Sequence, residues 1–141
     1  MIRLRRDRGL DPLGRVRLGG EIVLAYGAAV RELRRRPIEQ VVTRLRRGLA
    51  PGEAAHSPAA LGESLRLGDI VVRVLRFLPG DTRCLRRSLV LLRLLSRRGI
   101  PARLVIAARS DPHFLAHAWL EYDGRPVLPP GDAGFGRLVE L

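Results

Sequence analysis

Apolar residues recur at helical spacing through the first two-thirds of the chain and at strand spacing in the last third. From Gly20 to Arg36, Ile22, Val23, Tyr26, Ala29, Val30 and Leu33 mark one side of a helix. Pro37 ends it, because the residue before a proline is pushed out of the α region. Ile38, Val41, Val42, Leu45 and Leu49 predict a second amphipathic helix. Residues 50–63 are rich in Ala, Pro and Gly, carry His56 and Ser57, and read as a loop. A third helix is predicted over about Leu65–Leu78, with Ile70, Val71, Val74, Leu75 and Leu78 on one side and Pro79-Gly80 as its stop. Residues 1–19 are Arg- and Gly-rich without a stable period and read as a loosely packed arm.

The pattern then changes. Asp81 or Thr82 suits the N-cap of a helix running to about Arg98, and Gly99 suits a left-handed C-terminal cap. On that helix Cys84, Ser88, Leu91 and Leu95 share a face, which Leu85, Leu89 and Leu92 broaden. An arc that wide predicts a largely buried helix. Leu104–Ala108 reads as a strand, Phe114–Tyr122 as a second, and Arg125–Leu128 as a third that returns through an Asp123-Gly124 hairpin turn. Helices first and a small antiparallel sheet afterwards predict an α+β fold.

A chain of 141 residues is read as one domain, large enough for its own core, and its 46% apolar content fits a globular fold. With 26 basic and 14 acidic residues the net charge is +12, and every basic residue is Arg. Lys and Asn are absent, a skew expected from GC-rich coding. Nucleic acid and anionic membrane are the partners such a charge would attract. The arginines are spread over every segment and aromatics are only 4%, so no stacking platform is present and a nucleic-acid partner is not expected. No apolar run approaches the roughly 20 residues of a membrane span. Asp7, Asp11 and Glu21 interrupt the basic-then-apolar beginning that would otherwise imitate a signal peptide. The expected location is the cytoplasm. A single cysteine, Cys84, excludes an internal disulfide framework. Three scattered histidines offer no metal cluster, and no phosphate loop is visible, so no cofactor is expected.

Cys84 falls in the first turn of the predicted buried helix. Unsatisfied N–H groups and the helix dipole favour negative charge there, and Arg83, Arg86 and Arg87 add positive potential. These features favour a nucleophilic thiolate, and the same N–H groups could hold an oxyanion. A cysteine is equally often a small buried hydrophobe. His117 lies mid-strand. Alternation puts it with Leu115, Trp119 and Glu121 on one face, opposite Phe114, Ala116, Ala118, Leu120 and Tyr122. An imidazole there can serve as the base of a thiol, or pack inertly on Trp119. His56 and His113 fall in loop or turn stretches and are read as solvated.

The combined string resembles the transglutaminase-like cysteine peptidases of lasso peptide biosynthesis. It comprises Cys84-Leu85-Arg86-Arg87-Ser88-Leu89, Leu94-Leu95, Arg97-Arg98-Gly99-Ile100-Pro101-Ala102, Leu104-Val105-Ile106, Ala116-His117-Ala118-Trp119-Leu120-Glu121 and Asp123-Gly124-Arg125-Pro126. The resemblance implies a papain-like core, in which the cysteine-bearing helix packs on a small antiparallel sheet carrying the histidine. It divides the chain into a helical part with its loop, 1–63, and a transglutaminase-like core, 64–141. The implied activity is removal of the leader from a ribosomally made precursor peptide by thiolate attack and thioester hydrolysis. Cys84 is the implied nucleophile and His117 the base. A separate small leader-recognition protein and the ATP-dependent lasso cyclase are the implied partners.

The family places an Asp about a dozen residues after the histidine. Pro129 stands there instead, which leaves Asp132, just beyond Pro129-Pro130-Gly131, as the expected orienting acid; Glu121 or a backbone carbonyl are the other possibilities. Three alternatives remain open from sequence. They are acyl transfer to an amine instead of water, a basic binding module, and a scaffold with a dead site.

Overall fold

The structure, a computed structural model, describes residues 11–47, 58–77, 84–111, 113–130 and 134–141. Its elements run α1 (Pro12–Arg35), α2 (Ile38–Leu45), α3 (Pro58–Leu75), α4 (Cys84–Arg97), β1 (Arg103–Arg109), β2 (Leu115–Tyr122), β3 (Arg125–Pro126) and β4 (Gly136–Glu140). This is the mixed α+β fold that the hydrophobic pattern predicts.

The core is organised around α4. Ser88 to Leu92 and Leu94 to Ser96 are all buried, so this helix is enclosed over most of its circumference, with Arg86, Arg93 and Arg97 gathered on the remaining side. It packs on α1, α2 and α3 on one side and on β2 and β1 on the other. Ile22, Leu67, Val71 and Val41 reach it from the helices, and Leu104 and Leu120 from the sheet, all fully buried. Each such leucine is worth roughly 1.5–3 kcal/mol of burial. The C-terminus of α4 closes at Gly99, whose φ of 71° is left-handed. Ile100 N–H bonds Leu95 O and Gly99 N–H bonds Ser96 O, the paired bonds of a Schellman cap.

The sheet is antiparallel with strand order β3-β2-β1-β4. Val105 faces Trp119 and Ala107 faces His117 across the β1–β2 ladder. Asp123 (φ 51°) and Gly124 (φ 76°) both adopt positive φ in the β2–β3 turn, as a two-residue Asp-Gly hairpin requires. Ala118, Leu120 and Tyr122 are buried on one face of β2, and His117 lies on the other with Trp119 and Glu121. Arg46 donates to the carbonyls of Ala102 and Leu141 and so ties the end of α2 to the margins of the sheet. Burial, then the nearby Arg103 charge, lowers its pKa from the ordinary value.

Four expectations need correction. Residues 12–19 are helical, not part of an arm. The Asp11 carboxylate accepts from Gly14 N–H at 2.8 Å and Pro12 occupies the first turn, which starts α1 before the apolar period begins. Residues 58–63 belong to α3 and not to a loop. Small residues make its buried start, Ala60 and then Ser64, whose hydroxyl donates to Ala60 O. The returning strand stops at Pro126, not Leu128, because Val127 and Leu128 turn into the core. Strand β4 was not expected at all; every residue in it is exposed, so it leaves no apolar alternation to read. Leu49, the stretch from 50 to 57, Leu78 and the predicted caps Asp81 and Thr82 lie outside the described residues.

Candidate active site

Cys84 is the first residue of α4 and is half-buried. Ser88, one turn on, donates its hydroxyl to the Cys84 carbonyl at 2.7 Å. The sulfur itself accepts from the backbone N–H of Ala118 at 3.4 Å. That amide is the peptide link to His117, so the first turn of α4 sits against the strand at the position carrying the imidazole. An N–H aimed at sulfur is a contact that strengthens when the acceptor carries negative charge.

His117 is held on three sides. Its ring stacks on Trp119, with centroids 5.7 Å apart and planes 30° from parallel. Phe135, just ahead of β4, closes in at 6.0 Å. Its Nε2 lies 2.9 Å from the carbonyl oxygen of Pro129. A carbonyl can only accept, so Nε2 carries the hydrogen, and in the neutral ring Nδ1 keeps the lone pair. Among the described residues no hydrogen bond joins the ring directly to the Cys84 sulfur. Catalytic pairs are often looser before substrate arrives than during reaction.

Behind the ring stands a polar clamp. The Trp119 indole N–H donates to Glu121 at 3.1 Å. Arg137 from β4 pairs with the same carboxylate at 2.7 Å and lies over the indole at 5.9 Å. Hydrogen bonds to Glu121 first, and to Glu140 second, raise the Arg137 guanidinium above its ordinary value. Arginine is charged throughout the physiological range in any setting, so buried Glu121 faces a cation at 2.7 Å.

The structure thus sets the Cys84 sulfur against the amide of Ala118, the residue after His117, and gives the His117 ring a main-chain acceptor. Asp132 lies outside the described residues, as does His56. Glu121 serves Trp119 and Arg137, and Asp123 belongs to the hairpin turn. His113 is exposed. Phe135 and Arg137 were not singled out from sequence, since the wholly exposed β4 run Gly136–Glu140 offers no apolar period to mark the strand or the residue ahead of it. A cavity of about 350 Å³ opens elsewhere, along α2, lined by Arg36, Glu39, Gln40, Thr43, Arg44 and Arg47. Arg36 and Arg44 there are both paired with Glu32, and none of the lining belongs to the Cys84–His117 site. Among the described residues no helix is long and apolar enough to cross a membrane, and no cluster of three potential metal ligands occurs.

Searches of curated proteins and of solved structures returned no match. The family model described as the transglutaminase-like superfamily matches residues 22–140, from the middle of α1 to the end of β4 and across both Cys84 and His117. The chain belongs to the transglutaminase-like superfamily.

Proposed function

We propose that this chain is a cysteine peptidase that removes the leader from a ribosomally made lasso precursor peptide in the cytoplasm. The transglutaminase-like superfamily carries cysteine-protease and acyl-transfer chemistry. The observation that carries the reading here is the contact of the Cys84 sulfur with the Ala118 amide, next to an imidazole whose outer nitrogen is engaged by Pro129. That engagement leaves Nδ1 of His117 as the basic atom. The lasso assignment rests on the sequence resemblance. The reading takes the chain as one domain, with helices α1 to α3 backing the cysteine helix.

In the reaction, His117 Nδ1 takes the Cys84 proton and the sulfur attacks the carbonyl carbon of the leader's last residue. First-turn N–H groups of α4 hold the oxyanion. His117 returns the proton to the leaving amine as the C–N bond breaks, which frees the core peptide and leaves a thioester. Water, giving its proton to Nδ1, then hydrolyses the thioester to the leader acid and the free thiol. General acid–base help of this kind contributes about 10²–10⁴ in rate. Asp132 is the proposed side-chain acid that would join the Pro129 carbonyl in orienting His117. A small leader-recognition protein would deliver the precursor, and the ATP-dependent cyclase would consume the core peptide.

The test combines alkylation with product analysis. Iodoacetamide should modify Cys84 faster in the folded chain than in the urea-unfolded chain, and His117→Ala should abolish the difference. Incubated with a lasso precursor and its recognition protein, the chain should release leader acid and core peptide, and Cys84→Ala should release neither. The superfamily match also favours acyl transfer, and product mass separates the two: an amine adduct of the leader means transfer. Equal alkylation rates in folded and unfolded chain, or processing that survives Cys84→Ala, would overturn the peptidase assignment.

A further inference from the structure

Helix α1 is amphipathic towards its own core, where Leu18, Ile22, Ala25 and Ala29 are buried. Its opposite face is not the charged surface such a helix normally shows. Leu13, Val16, Gly20, Val23 and Gly27 follow one another at alternating steps of three and four, with Leu24 alongside. Leu13, Val16 and Leu24 are 75%, 74% and 77% exposed, and Val23 is 45% exposed. A Cβ placed on Gly20 or Gly27 would meet nothing within 4 Å. The two glycines are therefore open dips one heptad apart, flanked by exposed apolar ridges.

A strict three-four apolar repeat is the seam by which one helix packs against another. Glycines in such a seam let the second backbone approach closely. The charge beside the seam has one sign. Arg17 flanks it, and Arg31, Arg34 and Arg35 occupy the last turns of the same face. Arg31 lies 3.9 Å from Glu32. Among the described residues no carboxylate pairs with Arg17, Arg34 or Arg35.

We propose that the outer face of α1 docks an amphipathic helix of a partner protein, apolar along its own seam and carrying Asp or Glu on its flanks. Charge chooses this occupant over a second copy, since a homodimer would set two rows of arginines together in a chain of net charge +12. A lipid surface fits less well. The seam has no Trp, Tyr or Phe to anchor in a headgroup layer, and its glycines favour close backbone contact over insertion. The inference does not depend on the chemistry of Cys84.

The probe is a synthetic, fluorescent, helix-forming peptide of three heptads, with Leu and Ile in its seam and Glu on its flanks. A twin carries Lys in place of Glu. Anisotropy against the whole chain should show saturable binding of the acidic peptide and none of the basic one. Val16→Gln with Leu24→Gln changes no charge and should weaken binding at least about tenfold. Arg34→Glu with Arg35→Glu should reverse the preference towards the Lys peptide. Both pairs lie at exposed positions, and thermal melting checks that each variant folds. Undiminished binding by the glutamine variant would mean bulk charge alone and would overturn the proposal, as would failure of the acidic peptide to bind. Sedimentation showing a wild-type dimer that the glutamine variant dissolves would reassign the seam to a second copy. Flotation with phosphatidylglycerol vesicles, lost in the same variant, would reassign it to lipid.

Discussion

The imidazole Nε2 of His117 points at the main-chain carbonyl of Pro129, 2.9 Å away and 12 residues further along the chain. That is the position where the resemblance leads one to expect an aspartate. A carbonyl at this place does part of a carboxylate's work. It fixes the hydrogen on Nε2 and the plane of the ring, but it adds no negative charge to stabilise an imidazolium. Stacking on Trp119 and the approach of Phe135 supply the rest of the ring's orientation.

The first prediction concerns the tautomer. In ¹⁵N NMR at a pH where the ring is neutral, His117 should carry its hydrogen on Nε2, with Nδ1 unprotonated. Pro129→Ala keeps the carbonyl and should leave both the tautomer and the rate of Cys84 alkylation close to wild type. A neutral ring protonated on Nδ1 would show that Pro129 is not the acceptor that orients it.

The second follows from the Ala118 N–H on the Cys84 sulfur. Carboxamidomethylation of Cys84 enlarges the sulfur substituent and weakens this acceptor. The Ala118 amide proton should be among the most shifted backbone resonances on alkylation, while the amides of the Asp123-Gly124 turn stay put. An unmoved Ala118 resonance would break the link between α4 and β2 on which the site is built.

What sequence made legible, and what it hid, divides along physical lines. The Gly99 cap and the Asp123-Gly124 turn depend on local backbone conformation, which residue type reports directly. Cys84 and His117 stand out because their chemistry is in the side chain. The Pro129 carbonyl is a main-chain atom, and residue type says nothing about where it points. Arg137 reaches Trp119 and Glu121 from β4, whose wholly exposed residues give no apolar period. The starts of α1 and α3 were hidden for a related reason: Leu13 and Val16 face away from the core, and Ala60 and Ser64 bury without being large.

The third prediction isolates the Trp119–Glu121 bond. Glu121 is buried and accepts from the indole N–H at 3.1 Å. Glu121→Ala leaves that donor unsatisfied and should cost about 1–3 kcal/mol in urea unfolding. In a Trp119→Phe background the donor is already gone, so the same substitution should cost less. Arg137 loses Glu121 and keeps Glu140 in both backgrounds, and the difference therefore reports the indole bond. Equal costs would mean that the bond contributes nothing and that Trp119 is held by packing alone.

The fourth contrasts two glycines of α3. An alanine in place of a helical glycine gains about 0.5–1 kcal/mol from backbone entropy where there is room. At Gly62 a Cβ meets nothing within 4 Å, so Gly62→Ala should raise the melting temperature. At buried Gly68 the same Cβ would stand 2.5 Å from the Val127 carbonyl oxygen. That oxygen cannot swing aside as a side chain would, because Val127 N–H is bonded to Leu120 O at 3.0 Å. Overpacking of this kind costs about 1–3 kcal/mol, which outweighs the entropic gain. Gly68→Ala should therefore lower the melting temperature. Val127 stands two residues before Pro129, so the displaced segment also carries the carbonyl that meets His117. Alkylation of Cys84 should slow in Gly68→Ala and not in Gly62→Ala. If both variants are stabilised, α3 does not press on this segment, and the placement of Pro129 owes nothing to Gly68.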